Sequence, residues 1–202
     1  MIEWSIDAFR ACESVRSIIV AAPPDNVHDL AGHDLGVVAG GATRAQSVAN
    51  ALASVGTALV AIHDAARPLV TPELVEALVA DLDAHPEAAG VIAATPVTDT
   101  IKRAGGGSRS AFPTDGEGNA LLVIEGTEDR SRLWAAQTPQ VFRTEALRKA
   151  VAATASPETA TDEARLLEEM GETVLVHPSG PENFKVTIPL DLRLAELLLA
   201  DR

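Results

Sequence analysis

At 202 residues, 47% hydrophobic and 22% charged, the chain is long enough to enclose one sizeable core and has ordinary globular composition. A net charge of −13 argues against a nucleic-acid-binding surface, and no apolar run approaches membrane-spanning length. Cys12 is the only cysteine, which excludes an intrachain disulfide, and the acidic N-terminus is no secretory signal, so a soluble cytoplasmic protein is expected.

Ile2, Ile6 and Phe9 share one helical face, so a helix is expected almost from residue 1. Ser17–Ala22 reads as a strand stopped by Pro23 and Pro24. A polar segment through His28 and His33 leads to a brief strand at Gly36–Ala39, then Gly40 and Gly41. Thr43 and Gln46 form a capping-box pattern that opens the next helix, with Val48, Leu52 and Val55 on one face. Ala58–Ile62 is a short apolar run of the kind buried on both faces of a parallel sheet. Thr71–Pro72 starts a helix whose first turns carry Glu73 and Glu76. Gly90–Ala94 is a further buried strand.

After Lys102 and Arg103 the texture changes to a turn-rich, Gly-rich excursion between residues 105 and 119. Leu121–Ile124 reads as the strand that returns from it, so residues 100–130 are expected to form a projecting β-arm. Trp134 and Gln137–Gln140 re-enter the body. Helices are expected from Thr144 and from Thr161, a strand at Thr173–Val176, an extended piece at Phe184–Thr187 and a terminal helix from Pro189. Strands alternating with helices predict an α/β fold with a mostly parallel sheet covered on both faces.

The apolar run 58–62 ends in His63, Asp64, Ala65, Ala66, Arg67 and Pro68. A buried strand that delivers such residues at its C-terminal end marks the crevice where open α/β sheets bind ligands. Asp64 could hold a divalent metal and Arg67 could meet a phosphate, or the two could simply pair in a loop. Gly40 and Gly41 before a capped helix would put backbone N–H groups near anything bound above the sheet, although glycine before a helix is more often only a turn. Lys185, one of three lysines, lies between Phe184 and Val186 and so projects to the opposite face, where it needs a counter-charge or a crevice. His63 beside Asp64 has the order of a metal-phosphohydrolase pair, but the five histidines show no metal-ligand spacing.

Six segments in order make a more specific pattern. They are Gly40–Gly41 with Arg44 and Ser47; His63–Pro68; Asp99–Arg103; Asp129–Trp134 with Gln137–Gln140; Thr161–Ala164; and Asn183–Thr187. In these the chain resembles the 2-C-methyl-D-erythritol 4-phosphate cytidylyltransferases of the non-mevalonate isoprenoid pathway, from about Ile2 to its C-terminus. The resemblance implies a Rossmann-like sheet of the nucleotide-diphospho-sugar transferase type and a homodimer whose arms clasp each other. It implies transfer of CMP from CTP to methylerythritol phosphate, with release of pyrophosphate and Mg²⁺ as cofactor. Asp64 would contact the metal, Gly41 and Ser47 would surround the cytosine, and Arg67 would lie on the nucleotide side. Lys185 would stabilise charge near the reacting phosphates. Arg130 and Thr100 would reach the substrate phosphate from the partner's arm, and Thr138 and Thr161 would hold the substrate.

Two departures qualify the resemblance. The Gly-rich insertion makes the arm longer than the family pattern. The family's N-terminal strand and Gly-rich triphosphate loop, with its Arg and Lys, have no match here, which suggests an N-terminally truncated enzyme of poor activity. Loss of that strand is expected to leave a hydrophobic slot between 17–22 and 58–62. The alternatives are a cytidylyltransferase for another polyol phosphate, such as ribitol 5-phosphate, and a catalytically silent nucleotide-binding homologue.

Overall fold

Apolar stretches too short to span more than one sheet alternate with amphipathic helices, and the fold follows from covering each of them. A computed structural model describes residues 1–30, 35–105, 121–154 and 162–200. The chain divides into two compact units, Met1–Ala94 with Ala136–Arg202, and Thr95–Ala135.

In the larger unit, β3 (Leu59–Ile62), β7 (Trp134–Arg143), β4 (Gly90–Pro96) and β8 (Val174–Pro178) form one sheet in the order β3-β7-β4-β8. β4 and β8 are parallel, whereas β7 runs antiparallel to β3 with Ile62 opposite Gln140 and Leu59 opposite Arg143. Successive side chains of a strand face opposite ways, so each strand feeds two cores. Ile92 and Phe142 pack with Leu52 of α3 (Arg44–Leu52), Leu147 and Ala150 of α5 (Thr144–Ala153) and Leu167 of α6 (Glu163–Glu169). Val91, Ala93 and Val141 pack on the other side with Leu78 and Leu82 of α4 (Pro72–Ala84). Gly90 is required at its place, because a Cβ there would lie 2.3 Å from Phe142 Cδ1.

β1 (Ile19–Ala22) and β2 (Gly36–Ala39) form a separate parallel pair. Between β1 and β3 lies an apolar slot of about 600 Å³. Ile2, Ile6 and Phe9 of α1 (Ile2–Arg10), Val48 and Val55, and Val75 and Val79 close it. This is the slot expected between residues 17–22 and 58–62. The short α2 (Val27–Leu30) follows β1, and α7 (Pro189–Ala200) ends the described chain. No helix among the described residues is long and apolar enough to cross a membrane.

The smaller unit is built on a hairpin of β5 (Lys102–Ala104) and β6 (Ile124–Thr127), which pairs Lys102 with Thr127 and shifts register between Arg103 and Ala104. It spans the arm expected at 100–130. The return strand begins at Ile124 rather than Leu121, a correction with a simple cause. Leu121, Leu122, Val123 and Ile124 are all exposed, so no buried face fixes the register of the apolar run.

Three other differences have local reasons. Residues 134–143 form a ten-residue strand that the sequence conceals, because Pro139 interrupts the pattern; the stretch paired with β3 starts after it, at Gln140. Phe184–Thr187 makes no strand and is tied instead through Val186 N–H to Ala66 O at 2.8 Å, the Lys185 side chain and the bonds of Thr187 to Asp191. α6 starts at Glu163 with Asp162 as its cap, while His33, Thr161 and most of the Gly-rich insertion lie outside the described residues.

Arg143 terminates α4 from the neighbouring strand. Its Nη2 donates to Leu82 O at 3.0 Å and His85 O at 3.3 Å, and its Nε donates to Ala88 O at 2.9 Å. A cation at the carbonyls that end the helix also suits the negative end of its dipole. Replacing it by Met keeps the aliphatic stem and removes all three bonds. Arg143→Met is expected to lower stability by about 2 kcal/mol, measured by urea unfolding.

Candidate active site

β3 ends at Ile62, and the chain then turns tightly, with Arg67 N–H donating to Asp64 O at 2.9 Å. The turn places Asp64 at the C-terminal end of the strand, partly enclosed. Both of its oxygens are taken by cations. Arg44 Nε donates to Oδ1 at 3.1 Å and Lys185 Nζ donates to Oδ2 at 3.0 Å.

Arg44 stands at the first position of α3, behind the Thr43 cap whose Oγ1 accepts Gln46 N–H at 3.1 Å. Its two terminal nitrogens hold Glu163 in a fork, at 2.6 and 2.9 Å. Glu163 is 2% exposed and opens α6, where the positive end of the helix favours an acid. Lys185, Asp64, Arg44 and Glu163 therefore alternate in charge along one chain of contacts. Burial alone would raise the Asp64 carboxyl, but the bonds and charges of Lys185 and Arg44 outweigh it and hold the group below the ordinary carboxylate range. Burial likewise works against the Arg44 cation, and Glu163 and then Asp64 more than restore it.

Arg67 is oriented inward. Its Nη1 donates to Asn183 O at 2.8 Å and its Nη2 to Ala136 O at 3.4 Å. The guanidinium thus binds two neighbouring segments to the turn. These carbonyls take the place of the simple Asp64–Arg67 ion pair weighed from the sequence, while Arg44 and Lys185 hold the Asp64 oxygens. Asn183, 3% exposed, completes the clamp through Thr138 O and Gln137 Oε1 at 2.9 and 3.0 Å.

Gly41 and Ser47 lie where β2 passes into α3, and they bond to each other. Gly41 N–H donates to Ser47 Oγ at 3.0 Å, and Gly40 N–H donates to Ala22 O at 2.7 Å. Neither amide is left facing a ligand, contrary to the expectation from the glycine pair. A Cβ on Gly41 would come within 2.3 Å of the Gln46 side chain, so the position has room only for glycine.

Thr138 Oγ1 accepts Asp64 N–H at 3.0 Å and lies 3.1 Å from His63 Nδ1. The structure thus brings Asp64, Lys185, Thr138 and Arg67 together, with Gly41 and Ser47 on the helix turn that supplies Arg44. Thr161 lies outside the described residues. Thr100 and Arg130 are exposed in the smaller unit, where Arg130 Nη1 donates to Thr98 O.

Arg44, Glu163, His63 and Asn183 carry no role predicted from the sequence. Arg44 and Glu163 are 119 residues apart, and no local pattern reveals such a pairing. The His63 ring nitrogens lie against Arg67 O and Thr138 Oγ1, and no group of three or more His, Cys, Asp or Glu side chains converges among the described residues.

Asp64, partly enclosed between Arg44 and Lys185, is a carboxylate that could hold Mg²⁺. That ion keeps much of its water and binds through one or two carboxylates together with substrate phosphates. Asp64 is the donor such an arrangement needs.

The family model for 2-C-methyl-D-erythritol 4-phosphate cytidylyltransferase, IspD, matches residues 1–201. The enzyme of that name from Frankia casuarinae is 42% identical over 206 residues, covering 99% of this chain and 70% of its own length. That from a Synechococcus strain is 41% identical, covering 100% of this chain and 86% of its own. The crystal structure of the Thermus thermophilus enzyme superposes with a TM-score of 0.74 at 32% identity, over 98% of this chain and 87% of that one. The chain belongs to the 2-C-methyl-D-erythritol 4-phosphate cytidylyltransferase family.

Burial pushes the His63 imidazole down to about 4, against which its hydrogen bonds and Asp64 count for less. In the unfolded chain the ring takes up a proton near pH 6.5. As the pH falls below that value the unfolded state binds a proton that the native state refuses, so stability declines until about pH 4. The expected loss is about 3 kcal/mol, seen as a fall in unfolding midpoint across this window that His63→Gln flattens.

Proposed function

We propose that the Asp64 cluster is the reaction centre of a cytidylyl transfer. By its family the chain is a nucleotidyltransferase that moves CMP from CTP to 2-C-methyl-D-erythritol 4-phosphate and releases pyrophosphate, in isoprenoid precursor synthesis. Attack of one phosphate on another brings anions together, so the protein's tasks are positioning and charge neutralisation. The observation that carries the assignment is the Asp64 carboxylate held by Arg44 and Lys185 at the end of β3.

The roles differ by how each cation is held. Arg44 is fixed by Glu163 and Arg67 by two carbonyls, so both shape the cleft. Lys185 is 44% exposed at its side chain and is held through a single bond to Asp64, so it can turn to a phosphate. Mg²⁺, held by Asp64, would supply further neutralisation of the triphosphate. Gly41 and Ser47 would border the cytosine by the shape of their turn. Thr100 and Arg130 of the arm and Thr161 before α6 would meet the substrate.

Removing one preorganised donor typically costs about 10²–10³ in rate. Pyrophosphate release from CTP, methylerythritol phosphate and Mg²⁺ tests the assignment. Mg²⁺-dependent release that Asp64→Asn and Lys185→Ala each reduce by about 10²-fold is expected. Release unchanged in Asp64→Asn would overturn it. Competing ribitol 5-phosphate in the same assay reads the choice of polyol phosphate.

The exposed face of the smaller unit supports a homodimer joined through the arm. Leu122 is 66% exposed, Ile124 61% and Val123 52%, on a two-stranded hairpin that cannot bury them itself. The lone, buried Cys12 is compatible with the reducing cytoplasm. Sedimentation is expected to show a dimer, and Leu122→Lys with Ile124→Lys a monomer.

A further inference from the structure

The tip of Lys185 is half in solvent, yet the chain that carries it is fixed on both sides. Downstream, Val186 N–H donates to Ala66 O at 2.8 Å, in the turn that carries Asp64. One oxygen of Asp191, Oδ2, then accepts Thr187 N–H and Thr187 Oγ1, each at 2.8 Å, and Ile188 N–H at 3.0 Å. Upstream the hold centres on Asn183, whose side chain is enclosed against β7.

Elementary valence orients the two amides that meet there. Gly180 O lies 3.2 Å from Gln137 Nε2, and a carbonyl only accepts, so Gln137 turns its NH₂ end to Gly180 and its Oε1 to Asn183. Thr138 O likewise only accepts. Asn183 Nδ2 therefore faces both, at 2.9 Å from Thr138 O and 3.0 Å from Gln137 Oε1, and both of its protons are used. The Oδ1 atom is buried without a hydrogen-bond partner. A buried acceptor left idle is a cost, so what this side chain contributes is donation. It ties the start of the 183–187 segment to two successive residues of β7. The turn before it is closed as well, by Ser179 N–H to Ala94 O at 2.8 Å.

We propose that Asn183, with Gln137 behind it, is a positioning residue for Lys185. The clamp fixes the root of the lysine two residues on, so that the ammonium swings from a set origin between Asp64 and an arriving phosphate. Both amide donors are committed to protein oxygens and Asn183 is 3% exposed, so its effect on the reaction passes through the chain to Lys185. Loss of the clamp frees the segment on its upstream side, and displacement of a reacting group by about 1 Å can lower a rate about 10²-fold.

The kinetic test rests on the cytidylyl-transfer reading and uses pyrophosphate release in two backgrounds. Asn183→Ala should lower kcat about 10²-fold in the native sequence but less than about twofold when Lys185 is already alanine. Equal losses in both backgrounds would mean that the whole cleft has loosened, and would overturn the proposal. A second measurement needs no turnover. Asn183→Ala should speed deuterium exchange of the Val186 amide by about tenfold or more, with the core amides of Val91 and Ile92 as slow as before. Unchanged exchange at Val186 would show that the root stays fixed without the clamp, and would overturn the proposal. Should Asn183→Ala fail to fold, Gln137→Met removes one of the two acceptors at similar length and serves in both tests, with a kcat loss of about tenfold that again vanishes in Lys185→Ala. A Lys185→Ala enzyme as fast as the native one would overturn the role given to Lys185 itself, while amide exchange still decides whether Asn183 fixes the segment.

Discussion

The carboxylate of Asp64, held on one side by Arg44 and on the other by Lys185, is the contact on which the rest of the larger unit converges. Four pieces of chain meet through it: the end of β3, the first turn of α3, the first turn of α6 by way of Glu163, and the 183–187 segment. Each piece brings a charge that would be costly if enclosed alone. Alternation of sign makes the set tolerable. Arg44 holds three carboxylate oxygens at once with one planar group, which an ammonium on a flexible stem cannot reproduce.

That arginine matters because the sheet around it is split. β1 and β2 pair with each other, β3 heads the four-stranded sheet, and an apolar slot separates the two. Helix α3 crosses between them. At its C-terminal end Leu52 packs into the core with Phe142, and at its N-terminal end Arg44 bonds across to Asp64 and Glu163. The helix is thus fixed to the larger sheet at both ends, once by burial and once by charge, while its flank contacts β1 and β2. The turn at Gly41 is therefore held in register with Asp64 despite the gap between the strands.

Much of this was legible in the sequence, and the reasons are physical. Asp64 could be singled out because charges at the end of a buried strand are costly unless a partner or a ligand meets them, and Lys185 because it alternates against two apolar neighbours. The helices starting near Arg44 and Pro72 were legible from their caps. What the sequence hid falls into three kinds. Long-range partnerships such as Arg44 with Glu163 leave no periodicity. Groups already committed, such as the amides of Gly40 and Gly41 or the two terminal nitrogens of Arg67, look available until their partners are seen. The strand through Pro139 was hidden for a third reason, since its pairing with β3 begins only beyond the proline.

The two cations on Asp64 are chemically unequal, and the inequality is what suits the site to phosphoryl chemistry. Arg44 cannot leave without stripping Glu163, nearly fully buried, of its counter-charge. Lys185 can leave, because its side chain is half in solvent and a phosphate offers it a stronger partner than the shared carboxylate. Its departure would leave Asp64 with one oxygen unpaired beside an arriving polyanion, the condition under which a carboxylate accepts a divalent cation. A site built from two locked cations would bind phosphate without responding to it. A site built from two mobile ones would not hold Asp64 in place before the nucleotide came. One of each gives a carboxylate that is fixed in position and exchangeable in its partner.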